Sequence, residues 1–258
     1  MRTVAITNQK GGVGKTTTAH HLGIALAKRD QRVLVVDMDP QTHLTIAART
    51  QATRGSVYDV LRGAKTIESV IVASPHQMDV LPSEQLLARF EAEAQTDPGW
   101  MTILRNALDD VATSYDWCLI DTPPSLGALS TNALVACDAG VLVPMVPEPL
   151  PLKGLQLLLR TVSELRSVNP SLTVRGIVPT MVHPRWATHR SVGDVLPHLL
   201  PDIPVLDGVP AHGSFVRASA IRESIFYIAP NSSGAIAYRR IADDLMGVTT
   251  SARVGAVA

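Results

Sequence analysis

The chain has 258 residues, 46% of them hydrophobic and 4% aromatic, with 23 basic residues against 23 acidic and only two cysteines. A chain of this length forms one large α/β domain, or at most two small ones, and buries enough surface to dispense with a disulfide framework. Balanced charge excludes nucleic-acid binding driven by bulk electrostatics, leaving a local patch or two patches brought together by dimerisation, and no apolar run reaches the roughly 18 residues of a membrane span.

Apolar Val4-Ala5-Ile6 predicts a first buried strand near 2–8, with no leader ahead of it. Lys10-Gly11-Gly12-Val13-Gly14-Lys15-Thr16-Thr17 follows, then a predicted helix over 15–29. The glycines let the backbone turn tightly and aim several N–H groups at one point. The helix N-terminus adds partial positive charge there. Lys15 is placed to reach the β- and γ-phosphates of a nucleotide and the Thr16 hydroxyl to ligate Mg²⁺. The pattern Gly-x-x-x-x-Gly-Lys-Ser/Thr is met loosely, because Gln9 occupies the first glycine position and Lys10 is an additional cation.

Further strands are predicted near 33–37, 78–82, 116–121, 139–146, 174–181 and 204–206. Helices are predicted near 42–49, 56–62, 84–94, 100–113, 127–136, 151–167, 188–199, 216–224 and 233–246. This alternation predicts a single doubly wound, mostly parallel sheet with helices on both faces, spanning residues 1–247 as one domain. The tail 248–258 has no helical stripe and is expected to be flexible. Two strands end in carboxylates: Asp37, with Asp39 two residues on along the same face, and Asp121. The carboxyl ends of parallel strands face the ligand crevice, so these groups and the glycine loop converge. Cys118 and Cys137, inside apolar stretches, are expected to be core thiols of a reduced protein.

Segments 10–17, 37–41 and 121–125 resemble the deviant Walker A, Walker A′ and Walker B segments of the ParA/MinD P-loop ATPases. Ile120-Asp121-Thr122-Pro123-Pro124-Ser125-Leu126-Gly127, Thr131-Asn132-Ala133-Leu134, the run from Val143-Pro144 to Glu148 and Lys153-Gly154-Leu155 resemble the partition branch in particular. The resemblance runs from Arg2 to Met246 and implies ATP, ADP and Mg²⁺ as cofactors and a weak ATPase activity. Gly11, Gly12, Val13, Gly14, Lys15, Thr16 and Thr17 would cradle the nucleotide, Thr17 at the α-phosphate, while Asp121 would hold a Mg²⁺-bound water. Asp39 would position the attacking water and Asp37 would hold the metal side of the switch. Lys10 would cross the interface of an ATP-bound homodimer and touch the partner's nucleotide.

The base would lie between loops carrying Thr180-Met181-Val182 and Gly208-Val209-Pro210-Ala211, with Met181 and Pro210 as apolar faces. Arg185, Arg190, Arg217 and Arg222 would bind double-stranded DNA without sequence preference, and a ParB-type centromere-binding adaptor would stimulate hydrolysis. These implications place the protein in the cytoplasm, on the nucleoid and off the membrane. They also describe the small form, which lacks an N-terminal helix-turn-helix domain and hence operator repression.

Two positions depart from the family: Val209-Pro210-Ala211-His212 lacks the arginine of a common Ile-Pro-Arg run, and His21 replaces an asparagine and is expected to pack under the loop. The alternatives are a positioning ATPase for another cargo, either a protein compartment or a MinD-like membrane cycle, and a nucleotide-gated scaffold with little hydrolysis. A MinD-like cycle would require a basic amphipathic C-terminal helix, where 248–258 offers only Arg253. An iron–sulfur carrier on this fold would require cluster cysteines at the dimer face, and Cys118 lies within a strand.

Overall fold

Val33 to Asp37 and Trp117 to Asp121 are buried along their whole length, as expected for parallel strands covered on both faces. The computed structural model describes residues 1–94, 99–148, 152–183 and 186–248; the end of the tail predicted to be flexible lies outside them. Its strands are β1 (Arg2–Ile6), β2 (Val33–Asp37), β3 (Val72–Ser74), β4 (Met78–Leu81), β5 (Trp117–Asp121), β6 (Val141–Met145) and β7 (Val174–Pro179). They form one sheet in the order β3-β4-β2-β5-β1-β6-β7, parallel throughout except for β3.

Alternate side chains feed two cores. Leu34, Val36, Cys118 and Ile120 face one side, under α6 (Ile103–Asp110), α7 (Ala128–Ala136) and α8 (Leu152–Leu165). Val33, Val35, Trp117 and Leu119 face the other, under α1 (Lys15–Ala27), α10 (Gly213–Ala220), α11 (Ile225–Ile228) and α12 (Ser233–Met246). The remaining helices are α2 (His43–Ala47), α3 (Val57–Leu61), α4 (Ile67–Val70), α5 (Phe90–Glu93) and α9 (Ala187–Leu199). No helix among the described residues is long and apolar enough to cross a membrane.

The doubly wound sheet is as predicted, but its composition differs at both edges. The antiparallel edge strand β3 was not predicted: three residues are too few to display alternation. The strand expected at 204–206 amounts to one bridge, Ile177 to Val205. Pro204 lacks a donor there, and the chain turns away after Leu206 N–H bonds to Ile177 O. The helix predicted at 216–224 starts earlier, at Gly213, where His212 Nδ1 accepts from Ser214 N–H at 3.2 Å, and it ends at Ala220. Arg217 therefore lies within the helix and Arg222 beyond it, with positive φ (53°).

Candidate active site

β1 leads into the glycine loop, which three neighbours brace. Asn8 Nδ2 donates to Pro144 O at 2.8 Å while its Oδ1 accepts from Lys10 N–H at 3.0 Å. Thr180 Oγ1 donates to Val13 O at 2.8 Å. Gly12 and Gly14 have φ of +72° and +84°, where a β-carbon would be strained. A Cβ at Gly11 or Gly12 would meet nothing within 4 Å, so the loop is open above.

Gly14 is the N-cap of α1, no side chain caps this helix, and its first turn holds no acid. The free N–H groups of a helix start then remain for an anion. The contrast within the chain is α3, closed by a full capping box of Ser56 and Asp59. Lys15 points inward: it is 7% exposed and its Nζ donates to Lys10 O at 3.3 Å. Burial lowers its pKa, against the opposing pull of Asp121 and then Asp39. Lys10 points outward, half exposed, with its Nζ on Glu148 Oε2 at 2.5 Å.

Strand register brings the carboxylates together, since Asp121 is the partner of Ile6 on one side and of Asp37 on the other. Asp121 is fully buried, and neither of its oxygens makes a hydrogen bond of ordinary geometry. Burial raises its pKa well above the usual carboxylate range, and the Asp37 charge adds to this; the nearby Thr16 hydroxyl and Lys15 oppose it. An orphaned carboxylate beside a lysine and a threonine hydroxyl is a donor set that suits a hydrated Mg²⁺.

Asp37 is differently disposed. Its Oδ2 accepts from Thr45 N–H at 2.8 Å and Thr45 Oγ1 at 2.7 Å, and its Oδ1 accepts from Asp39 N–H at 3.1 Å. Both oxygens thus anchor the segment that follows β2. Asp39 Oδ1 accepts from Gln41 N–H at 2.9 Å, and Ser83 Oγ donates to the Asp39 carbonyl at 2.8 Å.

Residues 1–174 match a family model described as an AAA domain. The chain is 38% identical over 250 residues to the chromosome-partitioning ATPase Soj of Thermus thermophilus, covering 95% of this chain and 96% of that one. It is 37% identical over 255 residues to the chromosome partitioning protein ParA of Caulobacter vibrioides, covering 95% and 94%. The chain belongs to the ParA/Soj family of P-loop ATPases. A cobyrinic acid a,c-diamide synthase of Mycobacterium smegmatis, solved with bound ADP and magnesium, superposes with a TM-score of 0.83 at 36% identity, covering 95% of this chain and 94% of that one. This ParA/Soj protein is an ATPase, and its cofactors are ATP, ADP and Mg²⁺.

The loops carrying Thr180-Met181-Val182 and Gly208-Val209-Pro210-Ala211 are held as a paired unit. Val182 bridges to Pro210, with Val182 N–H on Val209 O at 3.0 Å and Ala211 N–H on Val182 O at 3.0 Å. Beside them lies a cavity of about 900 Å³ lined by Pro147, Pro179, Val182, Gly208, Pro210 and Arg240, among others. Met181 has positive φ (51°), is 44% exposed and is not among the described residues lining this cavity.

Arg217 and Arg222 are exposed and, among the described residues, make no ion pair. Arg185 lies outside the described residues, and Arg190 is placed on α9. Arg239 sits over the Phe226 ring, and Arg240 approaches Asp207 at 3.8 Å. His21 does more than pack, since it also accepts and donates hydrogen bonds.

Burial pushes the pKa of Asp37 up to about 6, more than its bonds from Thr45 and Asp39 pull it down. An acid raised in the folded state contributes most to stability below its unfolded pKa, and that contribution is lost as pH rises from about 4 to about 6. At pH 7 the ionised Asp37 therefore costs about 3 kcal/mol relative to an unshifted carboxylate. In nucleotide-free protein, Asp37→Asn should gain Tm relative to wild type as pH climbs through that window, as followed by thermal unfolding at a series of pH values. A gap between the two proteins that stays constant from pH 4 to 7 would dispose of this burial penalty.

Proposed function

We propose that this ATPase is a DNA-partition motor. ATP holds two subunits face to face, the dimer binds double-stranded DNA without sequence preference, and hydrolysis stimulated by a ParB-type adaptor releases it. The observation that carries the reading is the opposite disposition of two lysines on one loop. Lys15 is turned in beside Asp121, while Lys10 stands at the rim on an exposed ion pair, available to a second subunit. Lys15 clamps the terminal phosphates, Thr16 and Asp121 (through water) hold Mg²⁺, and Thr17 takes the α-phosphate. The N–H groups of the loop complete the cradle. Asp39 orients the attacking water, while Asp37, anchored to Thr45, keeps that segment in place on the metal side. Bound Mg²⁺ supplies charge neutralisation; the protein's own part is positioning and electrostatic stabilisation.

Pro210 and the paired loops beside the large cavity supply an apolar wall for the base, with Met181 at their edge. This assignment sets the protein on the nucleoid in the cytoplasm. Cys118 and Cys137 are buried and burial raises both thiols, so neither is an activated nucleophile. ATP turnover measured with and without duplex DNA and adaptor tests the reading; turnover indifferent to both would refute it.

The unpaired arginines give the DNA step its own expected result. Arg217→Ala with Arg222→Ala should weaken binding of an unrelated duplex by about tenfold at low salt and reduce the salt slope by about 2, one for each phosphate contact. Fluorescence anisotropy of the ATP-bound protein between 50 and 200 mM salt, the range over which such contacts are lost, reads both. An unchanged slope moves the DNA surface away from α10.

A further inference from the structure

His20 and His21 lie one helical turn after Thr16 and Thr17, so each imidazole shares a face of α1 with a residue of the phosphate-holding turn. All four line a cavity of about 300 Å³ whose far wall includes Phe215, Ser219, Arg222 and Glu223. Both histidines are buried, at 2% and 5% exposure, and both are fixed in orientation by their partners.

His21 Nδ1 faces Thr17 O at 2.8 Å, and a carbonyl only accepts, so Nδ1 carries the proton. Nε2 is left as an acceptor and receives Ile225 N–H at 3.3 Å, at the first residue of α11. The ring is stacked on Tyr238 (5.5 Å between centroids, 17° between planes), whose hydroxyl meets Thr18 Oγ1 at 3.2 Å.

The second histidine reaches the same turn by another route. His76 Nε2 faces Glu223 Oε1 at 2.8 Å and donates to it, which leaves His76 Nδ1 to accept from His20 Nε2 at 2.9 Å. Glu223 also accepts from Ser224 N–H at 3.0 Å and from Arg49 at 3.2 Å, fixing the turn that sets Arg222 in its positive-φ conformation. Burial keeps these imidazoles neutral, lowering His21 to about 4 and His20 well below the usual histidine range. Neutral rings preserve the acceptor nitrogens that both routes need.

We infer that His20 and His21 are positioning residues that tie the phosphate-holding turn of α1 to the turn at 222–225, so that nucleotide bound at the loop stiffens the segment bearing Arg222. The inference rests on the assignment of Thr16 and Thr17 to the nucleotide above, and it gives the ATP state a through-bond route to the proposed DNA surface. The coupling has two arms, Thr17–His21–Ile225 and His20–His76–Glu223. Each is a short run of directed hydrogen bonds, so removing a single member opens that arm.

Amide hydrogen exchange tests it without DNA. In the wild-type protein, saturating Mg·ADP should slow exchange over 222–228 by about fivefold, at the lower end of ordinary coupling between sites. His21→Ala and Glu223→Ala, each opening one of the two arms, should each reduce that slowing while binding a fluorescent ADP analogue within about twofold of wild type, since neither residue is assigned to the nucleotide. A merely structural role would raise exchange equally with and without nucleotide and leave the response intact. Glu223 is only partly buried, so its variant carries the test should His21→Ala fail to fold. Nucleotide-bound wild-type protein with no slowing over 222–228, or both variants keeping the full response, overturns the inference. Unchanged ADP affinity in Thr16→Ala and Thr17→Ala would instead strike the nucleotide assignment.

Discussion

Lys15→Ala should lower ATP turnover by about a thousandfold or more, the scale of losing a preorganised charge at a developing transition state. Among the described residues Lys15 is the only buried lysine or arginine, and it stands beside the uncapped start of α1 and Asp121, whose oxygens make no hydrogen bond of ordinary geometry. Its removal takes away the buried cation that interacts with Asp121 and Asp39. The Asp121 carboxyl, already raised by burial and by Asp37, is then favoured still more strongly in its protonated form. Two deficits coincide: the terminal phosphates lose their clamp, and the carboxylate assigned to Mg²⁺ loses part of its charge.

Lys15→Arg should not rescue, because the planar guanidinium needs room that a 7% exposed site does not give. Steady-state kinetics with saturating Mg·ATP measure the effect. A fall in kcat with a smaller change in KM is the pattern for a contact strengthened in the transition state. Turnover of Lys15→Ala within tenfold of wild type would remove Lys15 from the phosphates.

What could be read in advance follows from how local each signal is. The loop 10–17 is contiguous, its glycines have a conformational meaning of their own, and apolar runs on either side mark strand and helix. Asp37, Asp39 and Asp121 were placed at strand ends by the same local pattern, and the register then set Asp37 directly beside Asp121. Periodicity does not encode which strands are neighbours, so the mutual charge effect between those two groups was out of reach.

Interactions that span the chain were equally hidden. Lys10 meets Glu148 across 138 positions, and His76 meets Glu223 across 147. The four-residue spacing of His20 after Thr16 and His21 after Thr17 was the one available hint, and it became meaningful only once α10 and α11 were seen to close over that face. The edge strand β3 and the curtailed strand at 204–206 show the opposite limit, where three residues are too short for any pattern to assert itself.

Lys10→Ala should bind Mg·ATP much as wild type does yet stay monomeric with a non-hydrolysable ATP analogue. Retained binding follows from geometry: Lys10 Nζ is held out on Glu148, and the loop is braced by backbone groups, Asn8 and Thr180, none of which needs the Lys10 side chain. Loss of the dimer follows from charge. Across an interface the ammonium would sit against a partner's phosphates, where a desolvated charge-assisted contact is commonly worth 2–5 kcal/mol, or about 30- to 4,000-fold in the dimer dissociation constant.

The contact Lys10 gives up in exchange is weak. Its ion pair with Glu148 has both side chains about half exposed, at 50% and 49%, and such a surface pair is worth about 1 kcal/mol or less. The lysine is therefore parked rather than locked. Glu148→Gln should shift assembly modestly the other way, by up to about fivefold, because it frees the same ammonium. Light scattering across a protein concentration series, with and without analogue, resolves both directions. A Lys10→Ala protein that dimerises with wild-type affinity, or a Glu148→Gln protein that assembles less readily than wild type, would show that this rim lysine does not bridge the two subunits.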